Sequence, residues 1–381
     1  MPDASTVVAF CALPPPMTGQ RIASKTFLDL LRGRVRVVHV APASRALRAV
    51  AGGFGVAYTR DWVASLRRLR ATFRATPGAT LYFCPSSSLL GLARDVATVA
   101  AVRGLAGRVV GHVHSGDHEL HFAGRHRRLA RWLARRIDAY CVSTETQCRK
   151  LAPAVAPTPV WAVTNVVDPS LRFDAAELDA ALAARRARPG LSVLYLSNLV
   201  PSKGYLDVLR ALAHAAGDVQ ARFVGTWMSA ADRDAFLAER ARLGLADRAH
   251  VLEPVQTRTA ARALLADADV VCLPTSYPHE AQPLAVLEGM AAGCPVVSTA
   301  HCSLPEYVLD GETGVIVPAG DARAIARAFD RLRDDAARER MGRRAHALAG
   351  ERFAPARALV PLLQALGADE SPAPRGEGTP T

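Results

Sequence analysis

Two glutamates lie eight positions apart, Glu280 and Glu288, in the stretch PHEAQPLAVLEGMAAG. The apolar run before them predicts a buried strand, and Pro283 predicts a helix start, where proline is favoured. Free N–H groups and a partial positive charge at a helix N-terminus can bind a diphosphate, with Leu284 and its successors as donors. Glu280 would lie beside the phosphates, and Glu288 would accept hydrogen bonds from a diol such as ribose. The alternative is a helix-start acid at Glu280 and a solvated Glu288.

A lysine stands in a second strand-to-helix loop, SNLVPSKG, at residues 197–204. Pro201 and Gly204 predict the turn. Only three of the 47 basic residues are lysines, which makes a lysine inside a loop motif informative. The ammonium group of Lys203 is a compact charge with three donors that suits phosphate oxygens. A solvated loop lysine is the alternative.

Two loops in the first half of the chain are further candidates. In PPPMTGQ, Gly19 precedes a helix and would let the backbone approach a ligand closely, with a plain turn as the alternative. In GHVHSGDHE, His114 ends a strand, where an imidazole can donate to a sugar hydroxyl or a developing charge. His112 and His118 leave a metal site or a structural role as alternatives, although the loop contains no cysteine ligand.

The elements that must position these loops alternate along the chain. Twelve short apolar runs are separated by segments with apolar residues at helical spacing. Apolar strands without in–out alternation, interleaved with helices, predict parallel sheets covered on both faces. Twelve strands fit two sheets of about six. We therefore predict an α/β protein of two Rossmann-like doubly wound domains facing across a cleft, with ligands beyond the carboxyl ends of the strands.

The predicted domains differ in charge. Residues 1–167 carry 23 basic and 8 acidic side chains, and residues 168–381 carry 24 basic and 27 acidic ones, so the net charges are +15 and −3. We predict domains at 1–167 and 168–350, a helix at 351–367 that returns to the first domain, and a disordered tail at 368–381 rich in proline, glycine and acid. The basic half is expected to meet an anionic surface or ligand.

Composition excludes several classes of protein. With 381 residues, 50% hydrophobic and 22% charged, the chain can bury a core and is not disordered as a whole. No apolar run reaches the length of a membrane span, and the first residues lack the basic region of a signal peptide. Seven cysteines include no C-x-x-C pair, so we predict no metal site and a reducing, cytoplasmic location.

Taken together, these loops resemble the retaining glycosyltransferases of the GT-B fold, and glycosyltransferase family 4 in particular. The E-x7-E spacing of Glu280 and Glu288 carries the resemblance, with SNLVPSKG, PPPMTGQ and the HVHSG loop. TNVVD at 164–168 and LPEYVLDGETGVIVP at 304–318 add to it. The resemblance is strong across 192–333 and weaker over 1–167. Each motif alone is loose, whereas all six in this order are specific.

The resemblance implies a nucleotide-diphosphate sugar donor bound mainly by the second domain, an acceptor bound by the first, and no metal or other cofactor. Lys203 would neutralise the diphosphate, Glu280 would lie near the donor sugar, and His114 would contact the sugar. Asn198 stands where the family often has an arginine and supplies hydrogen bonds but no charge. The implied catalytic residues are Glu280, Lys203 and His114, and the implied donor-binding residues are Glu288, Asn198, Gly19, Leu284 and Val255.

The partners expected are this donor and a sugar or lipid-linked acceptor, in polysaccharide, glycolipid or glycoconjugate synthesis. Two basic amphipathic stretches, residues 62–74 and 125–137, favour an anionic membrane surface as a further partner, with ordinary solvated helices as the alternative. No nucleic-acid motif is present, so nucleic acid is not expected. The competing functions are a nucleotide-sugar epimerase on the same fold and a non-catalytic nucleotide-sugar-binding protein.

Overall fold

The computed structural model describes residues 5–15, 17–42 and 56–368. The chain divides into two α/β units, one formed by Met1–Val166 with Pro355–Thr381 and the other by Val167–Ala354. The division falls one residue before the predicted break at 167/168. No helix in the described part of the chain combines the length and the apolar character that crossing a membrane requires.

The first unit begins with six strands and six helices. The strands are β1 Thr6–Phe10, β2 Arg36–His39, β3 Thr80–Phe83, β4 Arg108–Val113, β5 Ala139–Val142 and β6 Val160–Ala162. The helices are α1 Gly19–Arg32, α2 Val56–Ala75, α3 Leu89–Val102, α4 Leu120–Ala123, α5 Arg127–Ala134 and α6 Glu145–Val155. All strand pairs are parallel, in the order β2-β1-β3-β4-β5-β6.

The second unit holds another six strands. They are β7 Leu191–Leu196, β8 Val219–Val224, β9 Ala249–Leu252, β10 Val270–Leu273, β11 Val296–Thr299 and β12 Gly314–Val317. The helices are α7 Ala175–Arg186, α8 Tyr205–His214, α9 Ala230–Arg242, α10 Arg258–Asp267, α11 Leu284–Ala291, α12 Ala322–Leu332 and α13 Asp335–Arg352. The parallel strands run in the order β12-β11-β10-β7-β8-β9, the Rossmann order read from its far edge.

Both faces of the first sheet are covered, as the uninterrupted apolar strands predict. Side chains from α2, α3, α5 and α6 form the core on one face, represented by Phe73, Val99 and Leu133. Side chains from α1 and from the last helix, α14 Pro355–Leu366, form the core on the other face. Arg108 fixes α14 by donating from Nε to the Ala365 carbonyl at 2.7 Å.

The predicted returning helix therefore exists but begins later than expected. Residues 351 and 352 complete α13, which packs in the second unit, and the return to the first unit starts at Pro355. A strand forms at each of the twelve apolar runs that predicted one. The predicted tail at 368–381 lies outside the described residues except for Ala368.

A buried carboxyl group on α3 makes the stability of the folded protein depend on pH. Asp95 is 4% exposed, and its Oδ2 accepts a hydrogen bond of 2.7 Å from the Ser86 N–H. Burial raises the pKa of Asp95 to about 7, although Arg94 opposes the rise. Because the folded state binds this proton more tightly than the unfolded state, Asp95 favours folding at low pH, and this contribution is lost as pH rises to about 7.

We expect Asp95→Asn to flatten the dependence of Tm on pH. The asparagine oxygen can still accept from Ser86, but the side chain no longer ionises. Between pH 5 and pH 8 the Tm of the wild type should fall more than that of the variant, as measured by thermal denaturation. Asp29→Asn, at an exposed carboxylate on α1, is the control. Parallel Tm curves for wild type and Asp95→Asn would contradict this account.

Candidate active site

The strand order of the second unit places two of the predicted loops side by side. The strands β7 and β10 are neighbours, and the order of the sheet reverses between them. At such a switch point the connections from adjacent strands lead to opposite faces of the sheet, which opens a crevice at the carboxyl ends. The loop after β7 contains Lys203, and the loop after β10 contains Glu280. The sheet thus brings together residues from two distant segments.

Lys203 and Glu280 form an ion pair in this crevice. The Lys203 Nζ lies 3.1 Å from Glu280 Oε2, and the two side chains are 15% and 9% exposed. The ammonium group also donates to Ser197 Oγ at 3.2 Å and lies 5.2 Å from the centre of the Tyr277 ring, within cation–π range. The Lys203 charge is thus held by three groups rather than solvated.

Backbone contacts fix the two loops to each other. The N–H and Oγ of Ser276 both donate to the Ser202 carbonyl, at 2.7 and 3.1 Å. Gly204 follows at a φ of +79°, and a Cβ there would lie 2.5 Å from the Pro274 carbonyl oxygen. A side chain would therefore both strain the backbone and separate the loops.

Glu288 is buried inside α11 and paired with an arginine. It is 6% exposed, so the alternative of a solvated helix residue is wrong. Arg258, the first residue of α10, donates from Nη1 to Glu288 Oε1 at 3.0 Å. Burial raises the pKa of Glu288 to about 7, Arg258 opposes the rise, and Asp168 adds to it. The carboxyl group therefore titrates near neutral pH.

The other predicted donor-site residues follow strands of the same sheet, at its carboxyl edge. Leu284 is the first residue of α11, after the cap Pro283, whose carbonyl accepts from the Val286 N–H at 3.1 Å. The N–H groups of Leu284 and Ala285 come too early in the helix to bond a carbonyl of their own helix. Asn198 is exposed in the loop after β7. Val255 follows β9 and packs partly buried against the core. Their proposed contacts with a ligand stay predictions.

In the first unit, His114 follows β4 and Gly19 comes after β1, and β3 lies between these two strands. The histidine comes directly after β4, and its ring stacks on His112 with centroids 4.3 Å apart. Gly19 is the first residue of α1 and is exposed, and a Cβ there would meet no atom within 4 Å. The backbone at Gly19 is thus open to a ligand.

Two cysteines extend this edge. Cys11 and Cys84 directly follow the register partners Phe10 and Phe83 of β1 and β3. The Cys84 sulfur lies 3.5 Å from Ser24 Oγ, and hydrogen bonds from Cys11 and His114 lower the pKa of Cys84 well below its usual range. His114 therefore lies among polarisable, hydrogen-bonding groups.

The other two histidines of the loop are structural. Burial lowers the pKa of His112 well below its usual range, so the ring is neutral, and its Nδ1 lies 2.8 Å from the Tyr82 hydroxyl. Burial likewise lowers the pKa of His118, to about 3. The described residues contain no cluster of three or more His, Cys, Asp or Glu side chains that could hold a metal ion.

Two residues of the site were missed by the sequence analysis. Arg258 sits in an arginine-rich chain and matches no motif, so nothing local distinguishes it from the other arginines. Tyr277 directly precedes the stretch PHEAQPLAVLEGMAAG, but its contact with Lys203 needs the neighbouring loop. Charged side chains are almost never fully buried unless they are paired, so burial of Glu288 would predict a cationic partner. The sequence does not indicate which arginine that partner is.

Two doubly wound units of six parallel strands each define a protein of the GT-B fold class. A solved structure with this fold is the Anabaena protein Alr3699/HepE in complex with UDP and glucose, which matches at a TM-score of 0.74 and 19% identity over 95% of this chain and 99% of that chain. The predicted fold class is confirmed.

Sequence comparison shows which known proteins the second unit resembles. Residues 186–347 match the model of the glycosyl transferases group 1. A putative colanic acid biosynthesis glycosyltransferase, WcaL of Salmonella typhimurium, is 48% identical over 69 residues, 17% of each protein. A phosphatidyl-myo-inositol mannosyltransferase of Mycobacterium leprae is 35% identical over 158 residues, 40% of each. These alignments thus span less than half of either relative, and residues 186–347 are similar to the group 1 glycosyltransferases.

We expect Gly204→Ala to destabilise the second unit. Alanine at this left-handed position costs about 1–2 kcal/mol from backbone strain alone, before the clash with Pro274 is relieved. The free energy of unfolding in urea should fall by at least that amount. Gly217→Ala, at an exposed turn with no atom within 4 Å of the added Cβ, is the matched control and should change little. Equal effects of the two substitutions would refute the packing argument.

Proposed function

We propose that the chain transfers a sugar from a nucleoside diphosphate sugar to an acceptor hydroxyl with retention of configuration, as a hexosyltransferase of glycosyltransferase family 4 that needs no metal. The observation that carries this proposal is the Lys203–Glu280 pair at the switch point between β7 and β10, beside the start of α11. The similarity of residues 186–347 to the group 1 glycosyltransferases and the structural neighbour solved with UDP and glucose support it.

Donor binding would exchange the partners of this ion pair. The diphosphate brings negative charge to Lys203 and to the N–H groups of Leu284 and Ala285 at the start of α11. Lys203 then contacts phosphate oxygens, and Glu280 is left to accept hydrogen bonds from hydroxyls of the donor sugar. Glu288 binds the ribose diol, Asn198 donates to the phosphates, and the backbone of Val255 contacts the base.

The chemical step breaks the bond between the anomeric carbon and the phosphate oxygen. The bond electrons leave with the diphosphate, where Lys203 and the α11 N-terminus stabilise the developing charge without a metal ion. The acceptor oxygen attacks the oxocarbenium-like carbon on the same face, and its proton passes to the departing phosphate oxygen. No side-chain nucleophile is proposed, since Glu280 is engaged by hydroxyls of the donor sugar and Glu288 by Arg258 and the ribose.

The first unit would supply the acceptor side of the reaction. His114 would contact the transferred sugar, and Gly19 would let the backbone of the first unit reach the phosphates. The relatives named for colanic acid synthesis and for phosphatidyl-myo-inositol mannosylation favour an acceptor in polysaccharide, glycolipid or glycoconjugate synthesis.

The charge and apolar surface of the first unit favour a lipid-linked acceptor and a peripheral position on the cytoplasmic face of a membrane. On and just beyond α5, Leu133 and Ile137 are buried while the arginines point to solvent: Arg125, Arg128, Arg131 and Arg135. Exposed leucines follow two strand ends of the same unit, with Leu90 57% and Leu120 62% exposed. Basic and apolar groups together suit an anionic lipid surface.

We expect Lys203→Ala to slow sugar transfer by about 100-fold or more, the scale of losing one donor to a transition-state charge. Turnover would be measured with the nucleotide sugar that raises the Tm in a thermal-shift panel of UDP and GDP compounds. Lys150→Ala, at an exposed lysine of α6, is the matched control and should keep wild-type turnover.

Three outcomes would contradict the proposal. Wild-type turnover of Lys203→Ala would remove Lys203 from the mechanism. Conversion of the donor without an acceptor would favour an epimerase. Nucleotide-sugar binding without transfer or hydrolysis would favour a non-catalytic binding protein.

We expect the protein to sediment with vesicles that contain anionic lipid at low salt and to be released as salt screens the charges. Arg128→Gln combined with Arg131→Gln should weaken this binding, since each basic residue near such a surface contributes about 1 kcal/mol. Arg323→Gln with Arg327→Gln, at two exposed arginines of α12, is the matched control. Absence of binding at low salt would refute the membrane proposal.

A further inference from the structure

We propose that Arg258 is a positioning residue for donor binding: it orients the carboxylate of Glu288 for the ribose diol and is itself held by Asp168. This inference rests on the proposed function, because Glu288 is taken to bind the ribose. It adds Arg258, which no motif of the chain marks, and Asp168, the last residue of TNVVD, and the proposed mechanism uses neither.

The geometry joins three side chains through one guanidinium group. The Nη1 of Arg258 donates to Glu288 Oε1 at 3.0 Å, and its Nε lies 3.1 Å from Asp168 Oδ2. A guanidinium presents its donors in a rigid plane, so two fixed contacts leave it little rotational freedom. The side chains of Arg258, Asp168 and Glu288 are 27%, 29% and 8% exposed. Of the two carboxylates that Arg258 joins, Glu288 is thus buried and Asp168 is more exposed.

The start of α10, which carries Arg258, and the carboxylate of Asp168 are each fixed by contacts that do not involve the Arg258 side chain. Thr257 caps α10 by accepting from the Ala260 N–H at 3.2 Å, which sets where the helix begins and where Arg258 lies. The other oxygen of Asp168, Oδ1, accepts from the N–H and the hydroxyl of Ser170 at 3.0 and 2.8 Å. Arg258 is therefore held from both sides before any ligand binds.

Charge explains why Glu288 needs this arginine. A diol offers two donors, which an ionised carboxylate accepts with both oxygens, whereas a carboxylic acid keeps one oxygen protonated. Burial raises the pKa of Glu288 to about 7, so the acid form is accessible at neutral pH. Arg258 counters this effect and Asp168 reinforces it. From α13, His346 approaches the same helix but bonds the Ala291 carbonyl at 2.8 Å.

Removing Arg258 and removing the charge of Asp168 should therefore have opposite effects on the pH dependence of binding. Removing the guanidinium should shift the loss of binding at acid pH to higher pH, by about one unit or more, since an opposite charge at this distance moves a carboxyl group by about 1–3 units. Removing the charge of Asp168 should shift it to lower pH. A residue with only a structural role would lower affinity equally at every pH.

The test measures binding of UDP and GDP by calorimetry between pH 5.5 and 8.5. The variants are Arg258→Met, Arg258→Lys, Asp168→Asn and Glu288→Gln, with Arg242→Met as the control that removes an arginine paired to a glutamate on α9. The second phosphate pKa of the ligand, about 6, falls in the same range, so only differences between proteins with the same ligand are interpreted. The 2′-deoxy forms of both nucleotides test whether the effect needs the intact diol.

The acid limit of binding is the pH below which the nucleotide no longer binds tightly. We expect this pH to rise for Arg258→Met, to fall for Asp168→Asn, and to stay unchanged for Arg258→Lys and Arg242→Met. In Glu288→Gln the loss of binding that protonation of Glu288 causes should disappear, and only the effect of phosphate protonation should remain. The 2′-deoxy nucleotides should show weaker binding and smaller differences between variants. If Arg258→Met fails to fold, the shift in Asp168→Asn and the unchanged limit in Arg258→Lys decide the question.

Two failures are distinguishable. Tight binding of UDP or GDP with the same pH profile in wild type, Arg258→Met and Asp168→Asn would overturn the role of Arg258 and leave the proposed function standing. Binding of neither nucleotide by the wild-type protein at any pH would overturn the proposed function, and the role of Arg258 would fall with it.

Discussion

The second unit keeps two glutamates away from water, and this burial is the constraint on which the candidate site depends. A carboxylate that leaves water loses several kcal/mol of solvation unless a cation lies close by. Lys203 lies 3.1 Å from Glu280, and Arg258 lies 3.0 Å from Glu288. Each cation comes from a different segment than its glutamate: Lys203 follows β7, and Arg258 begins α10. The turn at Gly204 and the contacts of Ser276 with Ser202 hold the two loops together, so that Lys203 reaches Glu280.

Net charge alone is a poor guide to where this protein would bind anions. Many arginines of the second unit are committed to backbone carbonyls. Arg185, 2% exposed, donates to the carbonyls of Leu265, Ala266, Ala292 and Gly293, where helices α10 and α11 end. Such arginines stabilise helix C-termini and leave no charge for a ligand. In the proposed function, the anion site of this unit is therefore built from Lys203 and backbone N–H groups, whereas the first unit exposes its arginines on α5.

The elements were largely predictable because their signals are local. Apolar runs predicted all twelve strands, and apolar residues at helical spacing predicted helices between them, such as α7, whose start a capping box from Asp174 fixes. The last helix was misplaced by four residues because α13 continues to Arg352 without a break in its pattern. The environment of Glu288 was not predictable, since its helix spacing alone does not tell a buried face from a solvated one.

By itself the sequence determined two parallel sheets and the loop residues capable of chemistry, because hydrophobic periodicity and turn residues act over a few positions. Only the tertiary structure decided the strand order, with β7 beside β10, and thereby the pairing of Lys203 with Glu280. It also decided which of the many arginines pairs with Glu288, and that His112 is buried as a neutral partner of Tyr82 while His114 lies at the sheet edge. The physical reason is that these contacts join residues far apart in the chain, and the stacking of strands, not local pattern, brings them together.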